Sequence, residues 1–222
     1  MINYRPPYWY HDNFKFSEND LKILKSDIDG LGEKKFAKNN MHISTFFIEQ
    51  HQRPEKKYVE VYKKIVEDIT KSVGIFYKTT YDVSFWTQLY EKGMSHNPHH
   101  HAMLNPDWDS AISWVHFLDV PEQKCFRFTD TKGNTLIPNE QSNGDIICFP
   151  SWVWHEVLPN NSSMRRLVTS GNIKITDDAK MCANWIMGEL SASLNKTNIS
   201  IKNSHVITKV EKLSLHKFFS MV

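Results

Sequence analysis

The sequence predicts a mainly β protein: an antiparallel sandwich or barrel with helices ahead of it. Three observations carry this. From Tyr77 to about Ile175 the chain breaks into short pieces rich in aromatic and β-branched residues: "YDVSFWTQLY", "SAISWVHFLDV", "KCFRFTD", "DIICFP", "WVWHEVL" and "RRLVTSGNIKI". Turn formers separate them, in "EKG", "LNPDWD", "DTKGN", "NEQSNGD" and "PNNSS". Helical periodicity is confined to the stretch before Gly74 and to one segment after the strands. Many short strands with regular breaks form sandwiches or barrels, because each strand can bury only one face alone.

The elements follow in order. The first twelve residues, "MINYRPPYWYHD", are aromatic and Pro-containing, with no helical period. Ser17 is the expected N-cap of a helix with Leu21, Ile23, Leu24 and Ile28 on its apolar face, and Asp20 sits near its positive end. "HISTFFIEQ" reads as a strand. Pro54 opens a second amphipathic helix, whose apolar face is Val59, Val61, Tyr62, Ile65, Val66 and Ile69 and whose stop is Gly74. After the strands, "DDAKMCANWIMGELSASLN" reads as a closing helix. "SIKNSHVITKV" has strand character, and "KLSLHKFFSMV" is open between helix and disorder. One domain is expected: support over 1–76, β-core over 77–176, helix and tail over 177–222.

Composition narrows the function. The chain has 222 residues, 40% hydrophobic and 23% charged, which suits a folded domain with a substantial core. A net charge of +2 is no nucleic-acid footprint, and no basic groove interleaved with aromatics is visible. Cys125, Cys148 and Cys182 are isolated, which argues against a disulfide framework or a thiolate zinc site. With no apolar signal core and no membrane-length apolar run, the expectation is a soluble, cytoplasmic protein.

The chemistry gathers around "HNPHHHAMLN", which starts at His96. Side chains alternate faces along a strand. If "PHHHA" lies on or just after a strand, His99 and His101 point the same way and can share a metal, while His100 points away. A third ligand is expected from His155 in "FPSWVWHEVLPN". There Val153, His155 and Val157 share one face, and Trp152, Trp154 and Glu156 share the other. A buried imidazole on that aliphatic face needs a hydrogen bond or a metal. Eleven residues later, Arg166 opens a strand on which Val168, Ser170 and Asn172 share its face. A guanidinium pointing into the same cavity would call for an anion, and a small carboxylate matches its fork.

Two histidines two apart, a distant histidine and an Arg soon after it resemble the 2-oxoglutarate- and Fe(II)-dependent oxygenases, and within them the branch of marine bacteria and tailed phages. The likeness covers roughly Tyr81 to Ile175. It rests on "YEKGMSHNPHHHAM", "SWVHFLDVPE", "NGDIICFPSWVWHEVLPN" and "RLVTSGN". It implies a double-stranded β-helix, the cupin-like jelly-roll of two facing sheets, with the N-terminal helices packed on one of them. It implies Fe(II) held by His99, His101 and His155, and 2-oxoglutarate anchored by Arg166. Gln88, Tyr90 and Ser170 are the candidate further contacts of the co-substrate. The implied reaction is hydroxylation of an unactivated C–H bond with O2, giving succinate and CO2, on a small-molecule or peptidyl substrate (in the host cytoplasm, if the protein is viral). Two departures stand out. The usual motif has a carboxylate at the place of His101, and Asp107 and Asp109 are the rival carboxylates. Val168 stands where many relatives carry Ser or Thr.

Simpler roles are expected elsewhere. His96 and His100 read as loop or neighbouring residues, Arg165 as a surface charge and Asp145 as a turn residue. Trp86 shares a face with Gln88 and Tyr90. Trp108, Trp152 and Trp154 read as packing or substrate contacts, and His116 as a packed, hydrogen-bonded histidine. Two other functions remain open from the residues: a three-histidine cupin dioxygenase or isomerase without 2-oxoglutarate, and a non-catalytic jelly-roll binding module.

Overall fold

The computed structural model describes residues 8–31, 42–72, 81–101, 112–130 and 132–175. Asp107, Trp108, Asp109, Cys182 and the expected closing helix lie outside them. No helix among the described residues is long and apolar enough to cross a membrane.

Among the described residues, ten strands and two α-helices follow one another as β1 (Trp9–Asn13), α1 (Glu18–Asp29), β2 (Ile43–Ser44), α2 (Val59–Ser72), β3 (Tyr81–Tyr90), β4 (His96–His99), β5 (Ile112–Asp119), β6 (Phe126–Thr129), β7 (Thr135–Leu136), β8 (Asp145–Pro150), β9 (His155–Val157) and β10 (Arg166–Ile175). They form two antiparallel sheets. The larger has the order β1-β8-β5-β10-β3-β2 and the smaller β4-β9-β6-β7. This is the jelly-roll that the strand pattern and the family likeness imply.

Alternation on the long strands explains the layers. The inner row of the large sheet includes Tyr90, Val115, Phe117, Ile147, Phe149 and Val168. It packs against Phe126, Phe128 and Val157 of the small sheet. The outer row, including Phe85, Ile112, Trp114, Ile146, Cys148 and Ile173, takes the apolar face of α2 through Tyr62, Ile65, Val66 and Ile69. Leu24 and Ile28 of α1 cover Ile43, Leu89, Leu118 and Leu167 beside it. Ser17 caps α1 as expected, accepting from the Asp20 amide at 3.1 Å. Gly171 on β10 has no alternative: a Cβ there would lie 2.3 Å from the Trp114 ring, which crosses the strand at that point.

Three local readings change. The N-terminal aromatic stretch supplies strand β1, paired antiparallel with β8. "HISTFFIEQ" is a strand only over Ile43–Ser44 and then turns into a short 3-10 helix, Thr45–Phe47. Side chains there take over from the sheet ladder. The Ser44 hydroxyl accepts from the Phe46 amide at 3.2 Å, and the Thr45 hydroxyl accepts from the Thr87 amide at 2.8 Å. Arg53 secures the turn by donating to the carbonyls of Phe46, Ile48 and Phe85. Pro54 opens a 3-10 turn rather than α2 itself, which begins at Val59.

His116 has the expected packed role: its Nε2 donates to the Phe14 carbonyl at 2.7 Å, and its Nδ1 lies 3.3 Å from the Tyr62 hydroxyl. Asp145 closes its turn by accepting from the Ser142 amide at 2.7 Å. Arg165 makes a two-point ion pair with Asp29, at 2.6 and 2.9 Å.

Candidate metal centre and anion pocket

The fold holds a cavity of about 580 Å³, and the histidines line it. His99 and His155 are direct partners across β4 and β9, so their imidazoles converge. His101 follows two residues later and is held to the same corner by its amide, which donates to the Ser151 carbonyl at 2.8 Å. The nitrogens of His99, His101 and His155 all lie within 4.8 Å of one another.

Each ring also has its protons arranged for ligation. His99 Nδ1 lies 2.8 Å from the Asn97 carbonyl oxygen, and His155 Nδ1 lies 3.0 Å from that of Val153. A carbonyl can only accept, so in both rings Nδ1 carries the proton and Nε2 keeps its lone pair. His101 Nδ1 lies 2.7 Å from Asn172 Oδ1 and 3.0 Å from the Ser113 hydroxyl, which gives the same tautomer. Burial, and after it repulsion from His99, holds His101 down to about 4, and the same two causes hold His155 well below the usual imidazole range. Burial is also the main cause that lowers His99. The three rings are thus neutral at pH 7, the form a metal needs. Neutral imidazoles around one point, each anchored through its far nitrogen, suit a borderline divalent ion such as Fe(II).

His96 and His100 separate: His96 is half-buried and His100 exposed. His100 is exposed at the cavity's edge and meets Trp154 edge-on, with centroids 4.7 Å apart. His96 turns inward as a neighbour of the candidate ligands, stacking on His99 at 4.0 Å and lying 4.2 Å from His42. A register shift between His96 and His99 turns a residue three positions away onto the same side. β4 is an edge strand, where Pro98 costs no ladder bond. His42, from just before β2, joins the group without any signal in its local sequence. It is buried, and its ring stacks 5.4 Å from that of Tyr90.

Arg166 is only 1% exposed and lines the cavity. Its guanidinium lies over the rings of Tyr90 and Phe117, at 5.4 and 5.6 Å. One of its terminal nitrogens has no hydrogen-bond partner, nor has the hydroxyl of Tyr90, directly opposite it on β3. Burial alone lowers the Arg166 pKa, yet a guanidinium stays charged at pH 7. A buried cation with one unpartnered nitrogen, beside an unpartnered buried hydroxyl, has the chemistry to receive an anion. Ser170 and Gln88 also line the cavity, bonded to each other at 3.0 Å. Ser170 stands four residues along β10 from Arg166, roughly 13 Å at the rise of a strand. It lies on β10 between Arg166 and Asn172, which contacts His101. Val168, in the row between them, offers no hydrogen bond.

The cavity mouth is aromatic. Phe46 and Phe47 are 46% and 53% exposed at its lip, and Phe46 meets Trp86 edge-on at 5.1 Å. Trp152 stands outside, 61% exposed.

No family model matches the chain. Over 27 residues, 12% of its length, it is 67% identical to an aspartyl/glutamyl-tRNA(Asn/Gln) amidotransferase polypeptide of Vesicomyosocius okutanii subsp. Calyptogena okutanii, a stretch that spans 6% of that protein. Solved structures resemble it over most of its length. A prolyl-4-hydroxylase of Pseudomonas putida matches at a TM-score of 0.54 and 18% identity, over 77% of this chain and 94% of that one. The epimerase SnoN of nogalamycin biosynthesis, in complex with Fe3+ and alpha ketoglutarate, matches at 0.56 and 14%, over 76% and 79%. A prolyl hydroxylase of Trichoplax adhaerens, in complex with a hypoxia inducible factor peptide fragment, matches at 0.54 and 14%, over 80% and 86%. At these identities the likeness is one of fold. The chain has the jelly-roll fold of the 2-oxoglutarate/Fe(II) oxygenases.

Proposed function

We propose that the protein is a non-haem Fe(II)- and 2-oxoglutarate-dependent oxygenase that hydroxylates an unactivated C–H bond. The observation that carries this reading is the buried guanidinium of Arg166, with one nitrogen left unpartnered, in the same cavity as three histidines poised to ligate through Nε2. A three-histidine centre without 2-oxoglutarate, or a plain binding module, gives that cation nothing to do.

His99, His101 and His155 would hold the iron, leaving the remaining positions to small molecules. Arg166 and Tyr90 would bind the far carboxylate of 2-oxoglutarate, and Gln88 and Ser170 would line its path. Iron and 2-oxoglutarate together supply the oxidation of a C–H bond by O2, with succinate and CO2 as co-products. The chain positions the co-substrate, keeps water away through Phe126, Phe149 and Val168, and leaves the substrate a mouth built from Phe46, Phe47 and Trp86. The substrate is a small molecule or a peptide side chain small enough to pass that mouth.

Anaerobic addition of Fe(II) and then 2-oxoglutarate tests the reading. The expected result is a visible metal-to-ligand charge-transfer band, followed by succinate when O2 is admitted. Iron binding without either signal would refute it.

A further inference from the structure

We propose that Asn172 is the positioning residue that lets a histidine take the third place of the metal centre, and that it sets the affinity of that centre for a divalent cation. The inference rests on the reading of His99, His101 and His155 as metal ligands.

A centre of this kind usually combines two histidines with a carboxylate. A carboxylate brings its own charge and ligates in any orientation that presents an oxygen. An imidazole brings no charge and ligates only through a nitrogen that carries no proton. Replacing the one by the other therefore demands a device that fixes the ring and its tautomer.

His99 and His155 have such a device locally, each donating to the carbonyl two residues before it. Any sequence can supply that. His101 depends instead on a side chain 71 residues away: its Nδ1 donates to Asn172 Oδ1 at 2.7 Å. Asn172 is itself held. The Ser113 hydroxyl lies 2.8 Å from the same oxygen, 3.0 Å from the Ser151 hydroxyl and 3.0 Å from His101 Nδ1. The Ser151 carbonyl meanwhile accepts from the His101 amide. The ring is thus fastened at its backbone and at Nδ1, which aims Nε2 at the other two histidines. The amide oxygen also enriches the imidazole in electron density, which raises its basicity toward a metal. Asn172 shares the inner row of β10 with Arg166, so one strand orients a ligand and presents the cation.

Co(II), a spectroscopic substitute for Fe(II) with visible d–d bands, is titrated into the metal-free wild type, Asn172→Ala, Asn172→Asp and His99→Ala. The melting temperature of each metal-free protein is measured alongside. Asn172→Ala is expected to weaken Co(II) binding by about 10–100-fold, the usual effect of losing a ligand's outer partner, with little change in melting temperature. Asn172→Asp is expected to restore binding to the wild-type level or tighter, since its carboxylate accepts the same Nδ1 proton and adds the missing charge. Unchanged affinity in Asn172→Ala would overturn the proposal. So would loss in both variants in proportion to a fall in melting temperature, which would make the role structural. If the wild type binds no Co(II), or His99→Ala binds it equally well, the metal reading falls first and the Asn172 role falls with it.

Discussion

Replacing Arg166 by Met should make the metal-free protein no less stable while crippling co-substrate binding. The two effects have opposite signs because the guanidinium is buried without an anion. Taking a cation out of water costs several kcal/mol after relaxation. Against that, Arg166 has two ring contacts, with Tyr90 and Phe117, each worth about 0.5–2 kcal/mol. Met fills much of the same volume and leaves no charge to solvate. The expected balance is a gain of about 1–3 kcal/mol, or roughly 2–12 °C in melting temperature at this chain length.

The same substitution removes two charge-assisted hydrogen bonds to a carboxylate, each worth about 1.5–3 kcal/mol. Affinity for 2-oxoglutarate should therefore fall by roughly two orders of magnitude or more, while Co(II) affinity measured without 2-oxoglutarate stays within a few-fold. Anaerobic calorimetry gives both affinities, and thermal melts give the stability. A destabilised Arg166→Met that still binds 2-oxoglutarate normally would show that the guanidinium serves packing, and the anion pocket would be refuted.

Other outcomes follow from the same geometry. Gly171→Ala places a methyl 2.3 Å from the Trp114 ring, and both strands are hydrogen-bonded in register there, so neither side can yield cheaply. A loss of about 2–4 kcal/mol in urea unfolding is expected, and a loss below about 0.5 kcal/mol would contradict the packing described. His116 is held near 4, mainly by burial, against an ordinary value of 6.5. Between those limits the unfolded chain binds a proton that the folded one does not. This contribution to stability is therefore full above pH 6.5 and is lost as pH falls toward 4, by roughly 3 kcal/mol. His116→Gln should flatten the urea-midpoint profile in that window; superimposable profiles would mean that the ring is not buried neutral. Finally, 2-oxoglutarate should tighten Co(II) binding by about tenfold or more, and Co(II) should tighten 2-oxoglutarate binding by the same factor. Titration in both orders checks this, and a factor of one would place the dianion away from the metal.

The parts of this molecule that could be read in the sequence are those whose cause is local. β3, β5, β8 and β10 alternate between two packed faces, so their aromatic and β-branched residues announce both strand and side. The same alternation puts His99 with His101, sets His155 between Val153 and Val157, and separates Arg165 on the surface from Arg166 inside. What escaped depends on distant partners or broken periodicity. The register shift in β4 returns His96 to the ligand side, where regular alternation would exclude it. The turn at Thr45–Phe47 exists because Arg53 gathers its carbonyls, and nothing in "TFF" says so. Asn172 looks like any polar residue in a strand, and only the fold brings it to His101. His42 likewise becomes interesting only when β2 pairs with β3 and sets it beside Tyr90.

Under the proposed function, the three-histidine ligand set and the buried Arg belong to one electrostatic scheme. Among the described residues that line the cavity, Arg166 and Lys174 are cationic and none is a carboxylate. Three neutral imidazoles leave a divalent ion at its full charge, so metal and Arg166 together present three positive charges to the cavity. In a water-poor space such charge attracts an anion more strongly than it would at a surface. A dianion that bridges both ends cancels most of it, whereas a monoanion reaches only one end. Placing a carboxylate at position 101 would cut the positive charge and weaken that demand. A histidine ligand there, with Asn172 to orient it, would shift the work of neutralisation from the polypeptide to the co-substrate. On this scheme the centre is complete in charge only when 2-oxoglutarate is bound, which is the physical ground for the reciprocal tightening of metal and dianion.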